Sequence, residues 1–74
     1  MKITVNLFAC FRTDRFRQQL RDYPVETSLL EVLADIGIRP EEVGMALVNG
    51  RHAQLSQALS EGDNLSLFPT LGGG

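Results

Sequence analysis

The chain contains no tryptophan, one cysteine, one histidine and three prolines, and these scarcities exclude several kinds of protein before any pattern is read. Cys10 has no partner within the chain, so no internal disulfide can staple the fold. One cysteine and one histidine cannot supply the four nitrogen or sulfur ligands of a structural zinc site. Charge of one sign is also missing: seven Lys/Arg stand against nine Asp/Glu, a net charge of −2. A nucleic-acid partner, which needs a basic face to displace counterions from phosphate, is therefore not expected. Apolar runs are short. The longest, Leu7 to Phe11, falls far below the ~20 residues that cross a bilayer. Met1-Lys2 leads into an alternating stretch rather than the apolar segment of a signal peptide. These features together predict a reduced, cytoplasmic protein with no membrane partner.

Catalytic apparatus is scarce as well. Cys10 and His52 are far apart in the chain and nothing marks a third, orienting group. Alternation makes His52 a solvent-facing strand residue and Cys10, between Ala9 and Phe11, a small, partly buried side chain. Glycine-rich phosphate loops lie between a strand and a helix, whereas here the glycines end the chain. The expectation is a protein that is not an enzyme and holds neither metal nor bound cofactor.

What is present is a 43% apolar composition over 74 residues, enough for one small domain that must rest on its apolar core. Five of the seven cations (Lys2, Arg12, Arg15, Arg17, Arg21) fall in the first 21 residues, and read as a solvated basic edge rather than an anion site. Ile3, Val5 and Leu7 alternate with Lys2, Thr4 and Asn6, the period of a half-buried strand, and Ala9 and Phe11 continue the inward phase. Phe8 is the anomaly, an aromatic where the polar face should be. The next segment is ambiguous. Phe16, Leu20 and Tyr23 have helical spacing, while Phe16, Gln18 and Leu20 also alternate as in the return strand of a hairpin turning at Arg12–Arg15; the pattern leans slightly to the helix.

Ser28-Leu29-Leu30-Glu31 is a capping box, Leu29, Val32, Leu33 and Ile36 form an apolar stripe, and Gly37 supplies a left-handed cap. This predicts a helix of two to three turns, with Ile38 folding back onto the core. Arg39 to Val43 reads as a loop with one helical turn, and Met45 to Val48 as a strand ending in the hairpin signal Asn49-Gly50. Gln54 to Leu59 suggests a second short helical turn. After the Glu61-Gly62-Asp63 turn, Leu65 and Leu67 alternate in a last strand, with Phe68 again on the polar face and Pro69 ending the pairing.

The chain ends Leu71-Gly72-Gly73-Gly74. Three terminal glycines are costly to order and cannot serve stability. Without Cβ atoms such a segment can enter a narrow slot, and the unbranched Gly74 leaves its carboxylate open to attack. A carboxylate reacts only after a partner converts it to an acyl-adenylate with ATP. A frayed end is the competing reading.

Asn49-Gly50, Leu59 to Asp63, Leu65 to Pro69 and the terminal Gly73-Gly74 together resemble the MoaD/ThiS family of sulfur carriers, weakly in the first half of the chain and strongly from Met45 onward. The resemblance implies an α+β, ubiquitin-like β-grasp fold: a mixed sheet of four to five strands crossed by one main helix, with residues 1–69 as the domain and 70–74 as a flexible tail. It also decides the ambiguous segment, Arg15 to Tyr23, in favour of a strand. A ubiquitin-activating-type enzyme (MoeB/ThiF-like) is implied as the partner that adenylates Gly74 with ATP. Sulfur from a persulfide then makes a thiocarboxylate, with Gly72 and Gly73 as the tether. Leu7-Phe8-Ala9 and Phe68-Pro69 lean to the molybdopterin-type branch, whose acceptor is a MoaE-like large subunit of a synthase. Departures from that branch are Pro69-Thr70-Leu71, a third glycine and no extra helix after the first strand; a thiamine-type carrier and a protein modifier joined through Gly74 are the alternatives. In such a sheet the first and last strands are parallel neighbours. Phe8 and Phe68 are then expected side by side on the face away from the helix as a partner-docking surface that Met45 or Leu47 extends.

Overall fold

Strand β1 (Lys2–Leu7) buries Ile3, Val5 and Leu7 and turns Lys2, Thr4 and Asn6 to the opposite face, as strict alternation requires. The computed structural model describes residues 1–70 of the chain. Around β1 a five-stranded mixed sheet is ordered β2-β1-β5-β3-β4. The return strand β2 (Gln18–Asp22) pairs antiparallel with β1, Ile3 opposite Arg21 and Val5 opposite Gln19. On the other side of β1 runs β5 (Asn64–Pro69), parallel, with Leu7 opposite Leu67. β3 (Val43–Val48) is antiparallel to β5, and β4 (Arg51–His52) closes the edge through Asn49-Gly50. Both turn residues have positive φ, 53° and 81°, the geometry of a tight turn matched to strand twist.

Helix α1 (Leu29–Ile36) is set by local chemistry at both ends. The Ser28 hydroxyl accepts the Glu31 N–H at 3.2 Å, and the Glu31 carboxylate accepts the Ser28 N–H at 2.9 Å. Gly37 takes φ 88°, and its N–H and that of Ile38 both donate to the Leu33 carbonyl at 2.9 Å. Leu29, Val32 and Leu33 point into the sheet, where they meet Ile3, Val5, Leu7, Ala46, Val48, Leu65 and Leu67; Ile38 and Leu59 complete the core. The fold is the ubiquitin-like β-grasp that the resemblance implies.

Several local expectations change. The strand phase does not continue past Phe8: Ala9 adopts φ 52° and is exposed, and Phe11 reaches the core from a one-turn 3₁₀ helix, Ala9–Arg12. A short helical turn therefore does follow the first strand. Cys10 on that turn is exposed, not partly buried. Segment 15–23 is a strand only from Gln18, and its Leu20 faces outward, 62% exposed, opposite Thr4. The inner face of β2 carries Gln19 and Arg21 instead, and Arg21 reaches α1 by donating to the Asp35 carboxylate at 2.8 Å. Gln54 to Leu59 forms a turn at Leu55-Ser56 without a helix, tied to the helix start by an Ala58–Ser28 bridge. Pro69 does not end pairing; it lies opposite Val43, and the Thr70 N–H donates to the Glu42 carbonyl at 3.0 Å.

Candidate functional site

The sheet face away from α1 carries two rows. In the polar row Asn6 spans three strands: its Nδ2 donates to Asn64 Oδ1 at 2.6 Å and to the Leu65 carbonyl at 3.0 Å, and its Oδ1 accepts from Gln18 Nε2 at 2.7 Å. Opposite Ser66 in the same row stands Leu47, and opposite Leu47 the exposed His52 of β4.

The second row is aromatic. Phe8 has extended backbone (φ −123°, ψ 154°), and its N–H donates to the Leu67 carbonyl at 3.2 Å, which prolongs the β1–β5 ladder by one step. That step places the Phe8 and Phe68 rings face to face, centroids 4.2 Å apart and planes 11° from parallel. The Arg12 guanidinium lies 5.3 Å from the Phe8 centroid, and its Nε donates to the Leu7 carbonyl at 2.7 Å. Directly opposite Phe68 on β3 is Met45. Residues directly opposite in an antiparallel pair share a face, so Met45 lies in this row and Leu47 on the same face one row over. Phe8, Phe68, Met45 and Leu47 are each half-buried. The stack contributes about 0.5–1.5 kcal/mol beyond area burial, and the cation–π contact about 0.5–1 kcal/mol.

The same edge is where the chain leaves for its C-terminus. A β-bulge separates the Val43–Pro69 and Met45–Phe68 pairs, with Gly44 the extra residue. A groove of about 530 Å³ lies there, lined by Gly44, Met45, Phe68, Pro69 and Thr70. Glu42 ends the 3₁₀ turn Pro40–Glu42, and its carboxylate accepts the Arg39 N–H at 2.8 Å. That backbone donor holds its pKa below the ordinary glutamate value. Gly72, Gly73 and Gly74 lie outside the described residues. Neither Arg12 nor Gly44 belongs to a motif; the only local signal for Gly44 is a glycine inside an apolar strand, which marks a bulge or a close backbone approach.

Cys10 and His52 are not brought together: Cys10 borders a cavity with Phe11, Arg39 and Thr70, His52 one with Asn49, Arg51 and Asp63. Among the described residues no group of three or more His, Cys, Asp or Glu side chains could hold a metal ion. No helix there is long and apolar enough to cross a membrane. The arrangement offers an aromatic face and, beside it, the root of the C-terminal segment.

Residues 5–74 match the sequence model of the ThiS family. No curated protein matches the chain in sequence. Among solved structures, SAMP1 from Haloferax volcanii superposes with a TM-score of 0.76 at 28% identity, each chain covered in full. A chain from the complex of subunits 1 and 2 of the molybdopterin-converting factor of Helicobacter pylori gives 0.67 at 21% identity, again over all of both chains. Urm1 from Trypanosoma brucei gives 0.70 at 20% identity, covering 99% of this chain and 95% of its own.

Proposed function

The chain belongs to the ThiS family, and we propose that it is a sulfur carrier whose reactive atoms are those of the Gly74 carboxylate. A carboxylate oxygen of Gly74 attacks the α-phosphate of ATP on a MoeB/ThiF-like partner, and pyrophosphate leaves. A persulfide sulfur then attacks the acyl carbon and expels AMP. A thiol cleaves the resulting acyl disulfide, leaving the terminal thiocarboxylate and a disulfide between the two thiol carriers. Gly72 and Gly73 act as the tether, and the Phe8/Phe68 row with Met45 and Leu47 docks the partners. All the bond-making groups except the carboxylate belong to those partners, so the chain acts as substrate and subunit rather than enzyme.

The observation that carries this reading is the distance relation between face and terminus. Phe68 stacks in the aromatic row, and Thr70, two residues on, is tied to Glu42. Four further residues reach at most about 14 Å. A partner seated on the aromatic row thus has Gly74 within reach of one adenylation site. Adjacent half-exposed aromatics are the usual anchors of such contacts.

The acceptor we favour is a molybdopterin- or tungstopterin-type synthase, with this chain as small subunit beside a MoaE-like one. Leu7-Phe8-Ala9 and Phe68-Pro69 support it, as does the likeness to a chain of the Helicobacter complex. The likeness to SAMP1 and to the structure described as small archaeal modifier protein 1 of the same organism supports a second reading, conjugation of Gly74 to lysines as a protein modifier. One experiment separates them. The intact protein is incubated with its adenylating partner, ATP and a sulfur donor, then weighed. Exchange of one oxygen for sulfur is expected. A plain carboxylate with every candidate partner would sink the carrier reading, and target lysines joined by an amide to the His52–Gly74 peptide, the fragment left by cleavage after Arg51, would establish the modifier.

A further inference from the structure

Of the four described glycines, three have positive φ: Gly37, Gly50 and Gly62, at 88°, 81° and 81°. A Cβ on any of them would meet nothing within 4 Å. Gly44 is the reverse. Its φ is one any residue can adopt, but a Cβ there would lie 2.7 Å from the Pro69 carbonyl oxygen, 2.9 Å from Thr70 Cα and 3.0 Å from the Pro69 carbonyl carbon. All three are backbone atoms, so no side-chain rotation can relieve the clash. Backbone conformation demands the other three glycines. Space demands this one.

That close approach adds no buried residue to the core and meets it only through the half-buried Val43. The buried residues of β5 are Leu65 and Leu67; Pro69 is half-buried and Thr70 exposed. The sheet could stop at the Met45–Phe68 pair with the buried Ala46, Val48, Leu65 and Leu67 all inside its paired part. Instead β3 bulges at Gly44 so that β5 runs on, Pro69 pairs with Val43 and Thr70 donates to the Glu42 carbonyl. Glu42 is itself fixed, its carboxylate bonded to the Arg39 N–H. What the bulge achieves is a defined position for Thr70, from which Gly74 is at most about 14 Å away.

We infer that Gly44 is a positioning residue for activation of the C-terminus: by admitting β5 against β3, it sets the point from which Gly74 is presented to the adenylating partner. This rests on the sulfur-carrier reading. Any side chain at position 44 pushes Pro69 and Thr70 off β3 and breaks the Thr70–Glu42 bond. Phe8 and Phe68 stay in place, because the upstream part of β5 is held by β1 and by its buried leucines. The partner would then dock normally and find the carboxylate displaced, and a misplacement of about 1 Å can cost about 100-fold in rate.

The test compares wild type with Gly44→Ala and Gly44→Val, and uses Gly62→Ala as control. The control strains a positive-φ turn at the far end of β5 and loses stability without touching Thr70. Amide exchange by NMR reads the Thr70 N–H against Ile3 and Val5, and ATP–pyrophosphate exchange with a MoeB/ThiF-like enzyme reads kcat and KM. In Gly44→Ala, Thr70 should lose protection while Ile3 and Val5 keep theirs. Its kcat should fall roughly tenfold or more with KM changed less than about threefold, and Gly62→Ala should keep wild-type kcat. If Gly44→Val does not fold, Gly44→Ala decides alone. Unchanged Thr70 protection in Gly44→Ala, or displaced Thr70 with wild-type kcat, overturns the inference while leaving the carrier reading intact. A kcat that falls equally in Gly62→Ala reduces Gly44 to a stability residue. A wild-type chain that no such enzyme adenylates overturns the carrier reading and the positioning role with it.

Discussion

Phe8 and Phe68 stack at 4.2 Å because the parallel register sets Leu7 beside Leu67, so the residue after each leucine must project together from the opposite face. Neither phenylalanine breaks its strand. Each keeps the outward phase of its strand, where the other outward residues of β1 and β5 are polar, Thr4, Asn6 and Ser66 among them. The pair, with Met45 opposite Phe68, makes an apolar patch beside the polar residues of β1 and β5.

Truncating either ring should therefore harm binding more than folding. Phe68→Ala is expected to cost roughly 2 kcal/mol or more in affinity for the adenylating partner, the range of an interface anchor, but only about 1 kcal/mol in stability. Titration calorimetry and urea unfolding would show the two effects. The rings contact each other, so Phe8→Ala and the double variant should be non-additive. Equal losses in binding and stability would mean the stack is only structural.

Appending one residue after Gly74 should abolish adenylation, since the new terminus is no longer the carboxylate that a narrow slot admits. Residues 1–70 should be undisturbed, which the far-UV spectrum and thermal midpoint would check. Sulfur loading at the wild-type rate would overturn the terminal-carboxylate mechanism.

Where a feature is made by residues close in sequence, it is legible. Ser28, Glu31 and Gly37 specify both ends of α1, and Asn49-Gly50 specifies the β3–β4 turn. β2 was hidden by its place as an edge strand. Leu20 faces solvent and the inner positions hold Gln19 and Arg21, so its alternation marks no core. Phe11 leaves the strand pattern because Ala9 takes a positive φ that few non-glycine residues adopt. The Phe8–Phe68 pairing depends on the parallel β1–β5 register, which resemblance implies and pattern alone does not. Arg12 over Phe8 and Gly44 under Pro69 depend on tertiary approach; no local pattern announces Arg12, and a glycine inside an apolar strand marks Gly44 without saying what approaches it.

Ser28→Ala removes the acceptor for the Glu31 N–H and half of the capping box. A loss of about 1 kcal/mol is expected, which lowers the thermal midpoint by roughly 4–8 °C in a domain of this size. Calorimetry would measure it. Because α1 lies on the opposite side of the sheet from the aromatic row, adenylation well below the midpoint should be unchanged.

Acid should weaken the fold through Asp35. Its carboxylate accepts from Arg21 Nη2 at 2.8 Å and from the Tyr23 hydroxyl at 3.0 Å, and first the Arg21 bond, then the Tyr23 bond, hold its pKa below the ordinary aspartate value. A carboxyl depressed in the folded state binds its proton less readily than in the unfolded chain. Its stabilisation is therefore complete above the unfolded value of about 4 and is lost as pH falls through the folded one. Glu42, lowered by the Arg39 N–H, has the same sign. The urea midpoint should stay level from neutral pH to about 5 and decline below about 4. Asp35→Asn should lower the neutral midpoint slightly and flatten the acid decline, since an exposed pair contributes little and is screened by salt. An acid decline equally steep in Asp35→Asn would place the titration on other carboxylates and leave the Arg21–Asp35 link between β2 and α1 with no share in it.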